Sequence, residues 1–177
     1  GLSGPPELER RPTLQLMVTE VKPTDREPEE ARFKVFLAGS IEQGKATKWH
    51  SSVITALEQA KLNVTVYNPR REHWDSTWEQ TPENPQFKAQ VEWELSRIEQ
   101  SDIVFFYFEP STISPITLLE LGLCLGAKRS LIVCCPDGFH RKGNVQITMA
   151  WEGRGHRLYD EFAPAVVALI EAIRVRA

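Results

Sequence analysis

Asp102-Ile-Val-Phe-Phe-Tyr-Phe-Glu-Pro110, followed after three residues by Ser114-Pro-Ile-Thr-Leu-Leu-Glu-Leu-Gly122, is the stretch that decides the fold of this 177-residue chain. The first half is a continuous apolar run, the pattern of a strand buried on both faces. The second opens with a serine in an N-cap position and a proline at the first helical position, a helix-start signal. Glu120 is the one charged side chain between Pro110 and Ala127. It sits among Ile116, Leu118, Leu119, Leu121, Leu123, Cys124 and Leu125, so this helix is expected to be buried on nearly all sides. A carboxylate there is costly unless it is hydrogen-bonded or opens into a pocket, which makes it a candidate functional group.

The same alternation extends outward in both directions. Phe33 to Ala38 reads as a short strand ending at Gly39-Ser40-Ile41, and Trp49, Val53, Leu57 and Ala60 recur at helical spacing. Val64 to Tyr67 is a second strand closed by Asn68-Pro69, and a polar loop rich in Trp and Arg runs from Arg70 to Asn84. Asn84 and Pro85 start another helix, with Phe87, Val91, Leu95 and Ile98 as its expected buried stripe. Beyond the opening stretch, Ser130 to Cys135 reads as a strand and Val145 to Met149 as a further one. A last helix spans about Tyr159 to Val175. Strands alternating with helices predict an α/β fold, a doubly wound, mostly parallel flavodoxin- or Rossmann-like sheet of about five strands. Residues 1–31, rich in Pro, Glu and Arg, are expected to be a flexible tail or a short appended strand, and residues 32–177 the domain.

Composition narrows the function. A net charge of −3 argues against a nucleic-acid surface, and no apolar run approaches a membrane span. Cys124, Cys134 and Cys135 lack metal-ligand spacing and read as reduced core thiols of a cytoplasmic protein. His50, His73, His140 and His156 lie far apart, so neither a metal nor a cofactor is assigned.

In doubly wound sheets, ligands bind beyond the carboxyl ends of the strands. That rim collects Gly39-Ser40, Asn68 to Arg71, Glu109 to Thr117 and Pro136 to Asn144. Gly39-Ser-Ile-Glu-Gln-Gly44-Lys45 matches the glycine and lysine spacing of a phosphate loop, but Ala46 stands where the magnesium-binding hydroxyl belongs and Thr47 comes one place too late. The turn therefore reads as a backbone approach to a sugar or phosphate, or as a tight turn only. Glu94 shares the inner stripe of its helix and is placed to converge with Glu120; a salt bridge to Arg97 is the alternative. Arg70 and Arg71 are candidates to grip a phosphate or carboxylate, or to remain solvated. Trp74 and Trp78 are candidates to stack on a base, or to pack the loop.

These residues together resemble the nucleoside 2-deoxyribosyltransferase family, in a divergent branch of the wider superfamily of nucleoside and nucleotide N-glycosidases. The resemblance rests on Val35 to Ile41, on Glu92-Trp-Glu-Leu-Ser-Arg-Ile-Glu-Gln-Ser-Asp102, and on Ser114 to Gly122. It implies that Glu120 attacks C1′ of a (deoxy)ribosyl group and expels the base, leaving a covalent glycosyl-enzyme. It implies that Glu94 helps hold the base, that Gly39 and Ser40 lie beside the sugar, and that Thr117 keeps a family hydroxyl. Asn144 matches a distal contact made across a subunit boundary in some members, and a homo-oligomer is implied. Ser114 stands where the transferases carry an aspartate that contacts the base, so hydrolysis of the intermediate by water is as consistent as base exchange. A nucleotide-sensing module without turnover and an NAD-type glycohydrolase are the rival readings.

Overall fold

The computed structural model describes residues 17–42, 46–71 and 75–177. Six strands form one sheet: β1 Val18–Val21, β2 Phe33–Gly39, β3 Val64–Tyr67, β4 Ile103–Tyr107, β5 Leu131–Cys134 and β6 Leu158–Tyr159. Five helices connect or follow them: α1 Trp49–Gln59, α2 Pro85–Gln100, α3 Pro115–Gly126, α4 Lys142–Glu152 and α5 Phe162–Arg176. The strand order is β1-β3-β2-β4-β5-β6 and every pairing is parallel. This is the doubly wound α/β architecture expected from the alternating pattern.

Period-two alternation divides the strand residues between two apolar cores. Phe36 and Ala38 of β2 and Val104 and Phe106 of β4 face α2, α3 and α4 with Ile98, Leu121, Cys124, Leu125, Val145 and Met149. Val35, Leu37, Ile103 and Phe105 face the other way, onto α1 and α5 with Trp49, Val53, Leu57, Ala165, Leu169 and Ile173. Burial on both sides explains why the central strands read as unbroken apolar runs. Cys124, Cys134 and Cys135 are buried free thiols. Burial pushes them up to about 11, 12 and 11 respectively, so they stay protonated core groups.

Three sequence expectations are corrected. Val145 to Met149 is not a strand but the middle of α4, because Val145 and Met149 are both buried one helical turn apart, and Gly153 ends the helix in a left-handed conformation at φ 82°. The final helix starts at Phe162, since Leu158 and Tyr159 pair with β5 instead. The buried stripe of α2 is rotated: Leu95 is exposed, and Gln90 and Ile98 are buried. Of the two readings of the N-terminal segment, residues 17–31 follow the appended strand: β1 pairs with β3 over its full length and Val21 is buried. This segment also reaches α2. The Tyr67 hydroxyl donates to Glu27, whose other carboxylate oxygen lies 3.2 Å from Arg97 Nε, and the Arg97 guanidinium covers the rings of Tyr67 and Trp93.

The chain leaves β2 in one direction to reach β3 and leaves β4 in the other to reach β5, so the carboxyl ends of β2 and β4 form the topological switch point. Among the described residues, no helix is long and apolar enough to cross a membrane.

Candidate active site

The switch point is built from hydroxyls and carboxylates. Gly39 ends β2 in a position no other residue fits. A Cβ there would lie 2.4 Å from Trp49 Cζ2 and 2.5 Å from the Tyr107 carbonyl oxygen. Trp49 closes over this strand end, and its Nε1 donates to the Ser40 carbonyl at 3.1 Å. Ser40 is 1 % exposed. Its Oγ lies 2.8 Å from Thr112 Oγ1 and 2.5 Å from Ser114 Oγ, and the latter two are 2.8 Å apart. Three hydroxyls thus form a closed triangle between the ends of β2 and β4. Ser40 Oγ also accepts the backbone N–H of Glu109 at 3.0 Å.

Ser114 does not cap α3 with its side chain, as its place before Pro115 suggests. It adopts a left-handed conformation, φ 47° and ψ 52°, and its hydroxyl turns into the triangle. Glu42 supports the bend by accepting the backbone N–H groups of Ile113 and Ser114 at 2.9 and 3.0 Å.

Glu109, just beyond β4, is a buried carboxylate that accepts the Thr47 N–H at 3.1 Å. The sequence reading put it on the ligand rim without a role, because it ends an apolar run before Pro110 and resembles a strand terminus. Its sequence signal was an acidic residue at the end of a central strand. The carboxylate takes a backbone amide before α1, where a phosphate loop would present such amides to its ligand. Arg70 bridges to the same loop, donating to the Ala46 carbonyl at 2.8 Å and the Thr47 carbonyl at 2.7 Å. Gly44 and Lys45 of the phosphate-loop-like match, Trp74 and His73 lie outside the described residues.

Glu94 and Glu120 come from neighbouring helices on one face of the sheet. Helix α3 packs against α4, and Glu94 on α2 lies near enough for its charge to act on Glu120. Helical spacing puts Thr117, Glu120, Leu121 and Cys124 on the inner side of α3, and all are buried. The helix is not buried all round, however: Ile116, Leu119 and Leu123 are 59, 70 and 51 % exposed. Burial holds the Glu94 carboxyl up at about 7, although a hydrogen bond from Gln90 and the charge of Arg71 act in the opposite direction. Burial and then the charge of Glu94 push Glu120 well above the usual carboxylate range. Their mutual influence makes the two a coupled pair. Glu94 does not pair with Arg97, which turns to Glu27 instead.

The remaining expected site residues divide. Thr117 lies one turn from Glu120 on the same face. Asn144 does not join the pair. It lines a groove of about 380 Å³ between α3 and α4, with Leu118, Gly122, Arg141 and Thr148. Leu121, next to Glu120 in the chain, also lines this groove, so it runs along α3 from its exposed face to its inner side. Arg71 is drawn inward, its Nε donating to Gln90 Oε1 at 2.6 Å, and its guanidinium lies 5.1 Å from the Trp78 ring. Among the described residues, no three His, Cys, Asp or Glu side chains converge as metal ligands.

Residues 32–139 match the family described as nucleoside 2-deoxyribosyltransferase like, which spans the switch point, both acid-bearing helices and all three hydroxyls. The chain belongs to that family. The match begins after β1, so the strand that completes the sheet edge lies outside it. A crystal structure of a conserved protein from Enterococcus faecalis V583 aligns over 83 % of this chain and 100 % of its own, at 16 % identity and a TM-score of 0.49. No curated protein matches the chain.

Proposed function

We propose that this nucleoside 2-deoxyribosyltransferase-like protein cleaves an N-glycosidic bond of a nucleoside or nucleotide with retention, Glu120 acting as nucleophile. The carrying observation is the buried pair of Glu94 and Glu120, borne by α2 and α3 on one face of the sheet and close enough that the charge of Glu94 acts on Glu120. Two carboxyl groups that oppose each other's ionisation keep a proton between them near neutral pH. For Glu120 to attack an anomeric carbon as a carboxylate, the retained proton must pass to Glu94, which then manages it. In the proposed step, Glu120 Oε forms a bond to C1′ as the C1′–N bond breaks. The electron pair leaves with the base, which takes up a proton. Attack by water or by a second base on the glycosyl-enzyme then releases the sugar or a new nucleoside.

The hydroxyl triangle and Glu109 form a polar wall suited to a sugar. Ser40 and Ser114 would contribute there, and Thr117 beside the nucleophile. Gly39 would let the wall close. Arg70 would hold the loop that borders it.

A homo-oligomer is part of the same proposal. The exposed apolar face of α3 continues in the sequence neighbourhood of α4, where Ile147 and Trp151 are 70 and 90 % exposed. A second copy covering this surface would bring another chain towards the groove that holds Asn144.

A binding module without turnover is the second reading. It is favoured by Ser114, whose hydroxyl is satisfied inside the protein by Ser40 and Thr112. One assay separates the two. The protein is incubated with deoxynucleosides, ribonucleosides, their monophosphates and NAD, with and without a second free base, and released base is resolved by chromatography. Exchange indicates transfer and free base alone indicates hydrolysis. Saturable binding without product would establish the module and refute the enzyme.

A further inference from the structure

We infer that Gln90 and Arg71 are positioning residues for Glu94, joined to it by a hydrogen-bonded relay that runs from the Arg71 guanidinium through the Gln90 amide to the Glu94 carboxyl group. The inference rests on the proposed catalytic role of the Glu94–Glu120 pair, but the relay itself is read from geometry.

Gln90 is 3 % exposed, an unusual burial for a glutamine on a surface helix. It lies one turn before Glu94, hence on the same face of α2. A leucine would fill the same space without the cost of burying an amide. The amide instead makes three polar contacts, each with a forced role. A guanidinium can only donate, so the atom 2.6 Å from Arg71 Nε is the side-chain oxygen. The amide nitrogen is therefore left to donate to the Pro69 carbonyl at 3.3 Å and to Glu94 Oε1 at 3.4 Å. Turning the amide over would set NH2 against the guanidinium and oxygen against a carbonyl. The orientation is locked from both ends.

Arg71 is in turn held from the loop side by the ring of Trp78. The charged groups that face Glu94 are thus Arg71, from the segment after β3, and Glu120, from α3; the neutral Gln90 faces it from its own helix. Arg71 and Gln90 favour the ionised form of Glu94, whereas burial and Glu120 oppose it. The relay therefore decides how the pair shares its proton. It also ties that balance to Trp78, whose ring lies against the Arg71 guanidinium.

The test is direct titration of the Glu94 carboxyl in the full chain carrying isotope-labelled glutamate, followed by NMR, with Glu94→Gln assigning the signal. Gln90→Leu keeps volume and removes the donor. Its Glu94 signal is expected to titrate at higher pH than the parent's, by about one unit, a tenfold change in the protonation equilibrium. Arg71→Met is expected to shift it in the same direction. The double variant should shift further than either single one, because the Arg71 charge also acts on Glu94 directly through space. If base release is detected, the limb of its pH profile that belongs to Glu94 should move in parallel. An unchanged Glu94 titration in folded Gln90→Leu overturns the relay. Should that variant fail to fold, an unchanged titration in Arg71→Met, altered outside the core, overturns it equally. Absence of base release from the parent protein would instead refute the proposed reaction and leave the titration result standing.

Discussion

Ser40 Oγ and Ser114 Oγ lie 2.5 Å apart although 74 residues separate them in the chain. Through this contact the end of β2 is fastened to the head of α3, four residues past the Glu109–Pro110 strand end and six before Glu120. The placement of the proposed nucleophile therefore depends on a hydroxyl from the opposite side of the switch point.

Ser40→Ala tests that dependence. It opens the triangle and leaves the buried Glu109 N–H without its acceptor. A buried donor left unsatisfied costs on the order of 1–3 kcal/mol. The expected outcome is a fall in thermal midpoint, read by calorimetry, together with weakened nucleoside binding; an unchanged midpoint would refute the bracing role.

Gly39→Ala is expected to be worse, despite adding a single carbon. The new Cβ meets a backbone carbonyl as well as the Trp49 ring, and neither withdraws without moving a strand. Overpacking of this kind costs about 1–3 kcal/mol or more. Denaturant unfolding should show the loss, with quenched Trp49 burial reported by fluorescence. A variant as stable as the parent would show that the strand end is looser than its geometry.

The acid pair makes stability pH-dependent, and the sign follows from linkage. Both carboxyl groups have folded-state values above those of an unfolded chain, so between about pH 4.5 and 7 the folded state holds more protons than the unfolded state. Stability therefore falls as pH rises through that window. For Glu94, held at about 7, the loss is on the order of 3 kcal/mol. Glu120→Gln and Glu94→Gln should each flatten this dependence and raise the thermal midpoint at pH 8 relative to pH 5. The same Glu120→Gln protein should lose base release by at least about a thousandfold. Full activity in Glu120→Gln would end the proposal for a nucleophile.

Removing residues 1–31 should destabilise the chain severely, although the family match begins at residue 32. The deletion strips an edge strand, removes the buried Val21 from the core and takes away Glu27 from Tyr67 and Arg97. Circular dichroism melting compares it with Glu27→Gln, for which a milder loss is expected. A truncated protein melting with the parent would show that β1 is dispensable.

Leu119→Asp places a charge on the exposed face of α3 without touching the core. Sedimentation should shift towards the monomer if a second copy covers this face. The same distribution for variant and parent would remove α3 from any interface.

The legibility of this protein followed the scale of the interaction. The runs Phe33 to Ala38 and Ile103 to Phe108 announced strands because both faces of a central parallel strand are buried, which leaves a mark on every residue. Glu120 was visible for the converse reason: a charge in an apolar helix stands out. Val145 to Met149 was misread because five residues do not separate a strand from one face of a short helix. Leu95 was misassigned because the buried stripe of α2 is drawn by polar residues, Gln90 and Glu94, whose value depends on partners elsewhere. The hold of Glu109 on Thr47, the hydroxyl triangle and the turn of Ser114 into it were invisible, since hydroxyls and strand-end acids occur in any loop.

The amino-acid sequence by itself determined the alternation of strands and helices, the parallel sheet and the isolation of Glu120. All of these are set by local hydrophobic periodicity and by the cost of burying charge. Only the tertiary structure decided that Glu94 lies close enough for its charge to act on Glu120, that Asn144 lines a groove between α3 and α4, and that Ser40, Thr112 and Ser114 close into one cluster. Those relationships depend on the strand order β1-β3-β2-β4-β5-β6. That order brings distant segments within hydrogen-bonding distance, and the contacts it creates carry no period along the chain.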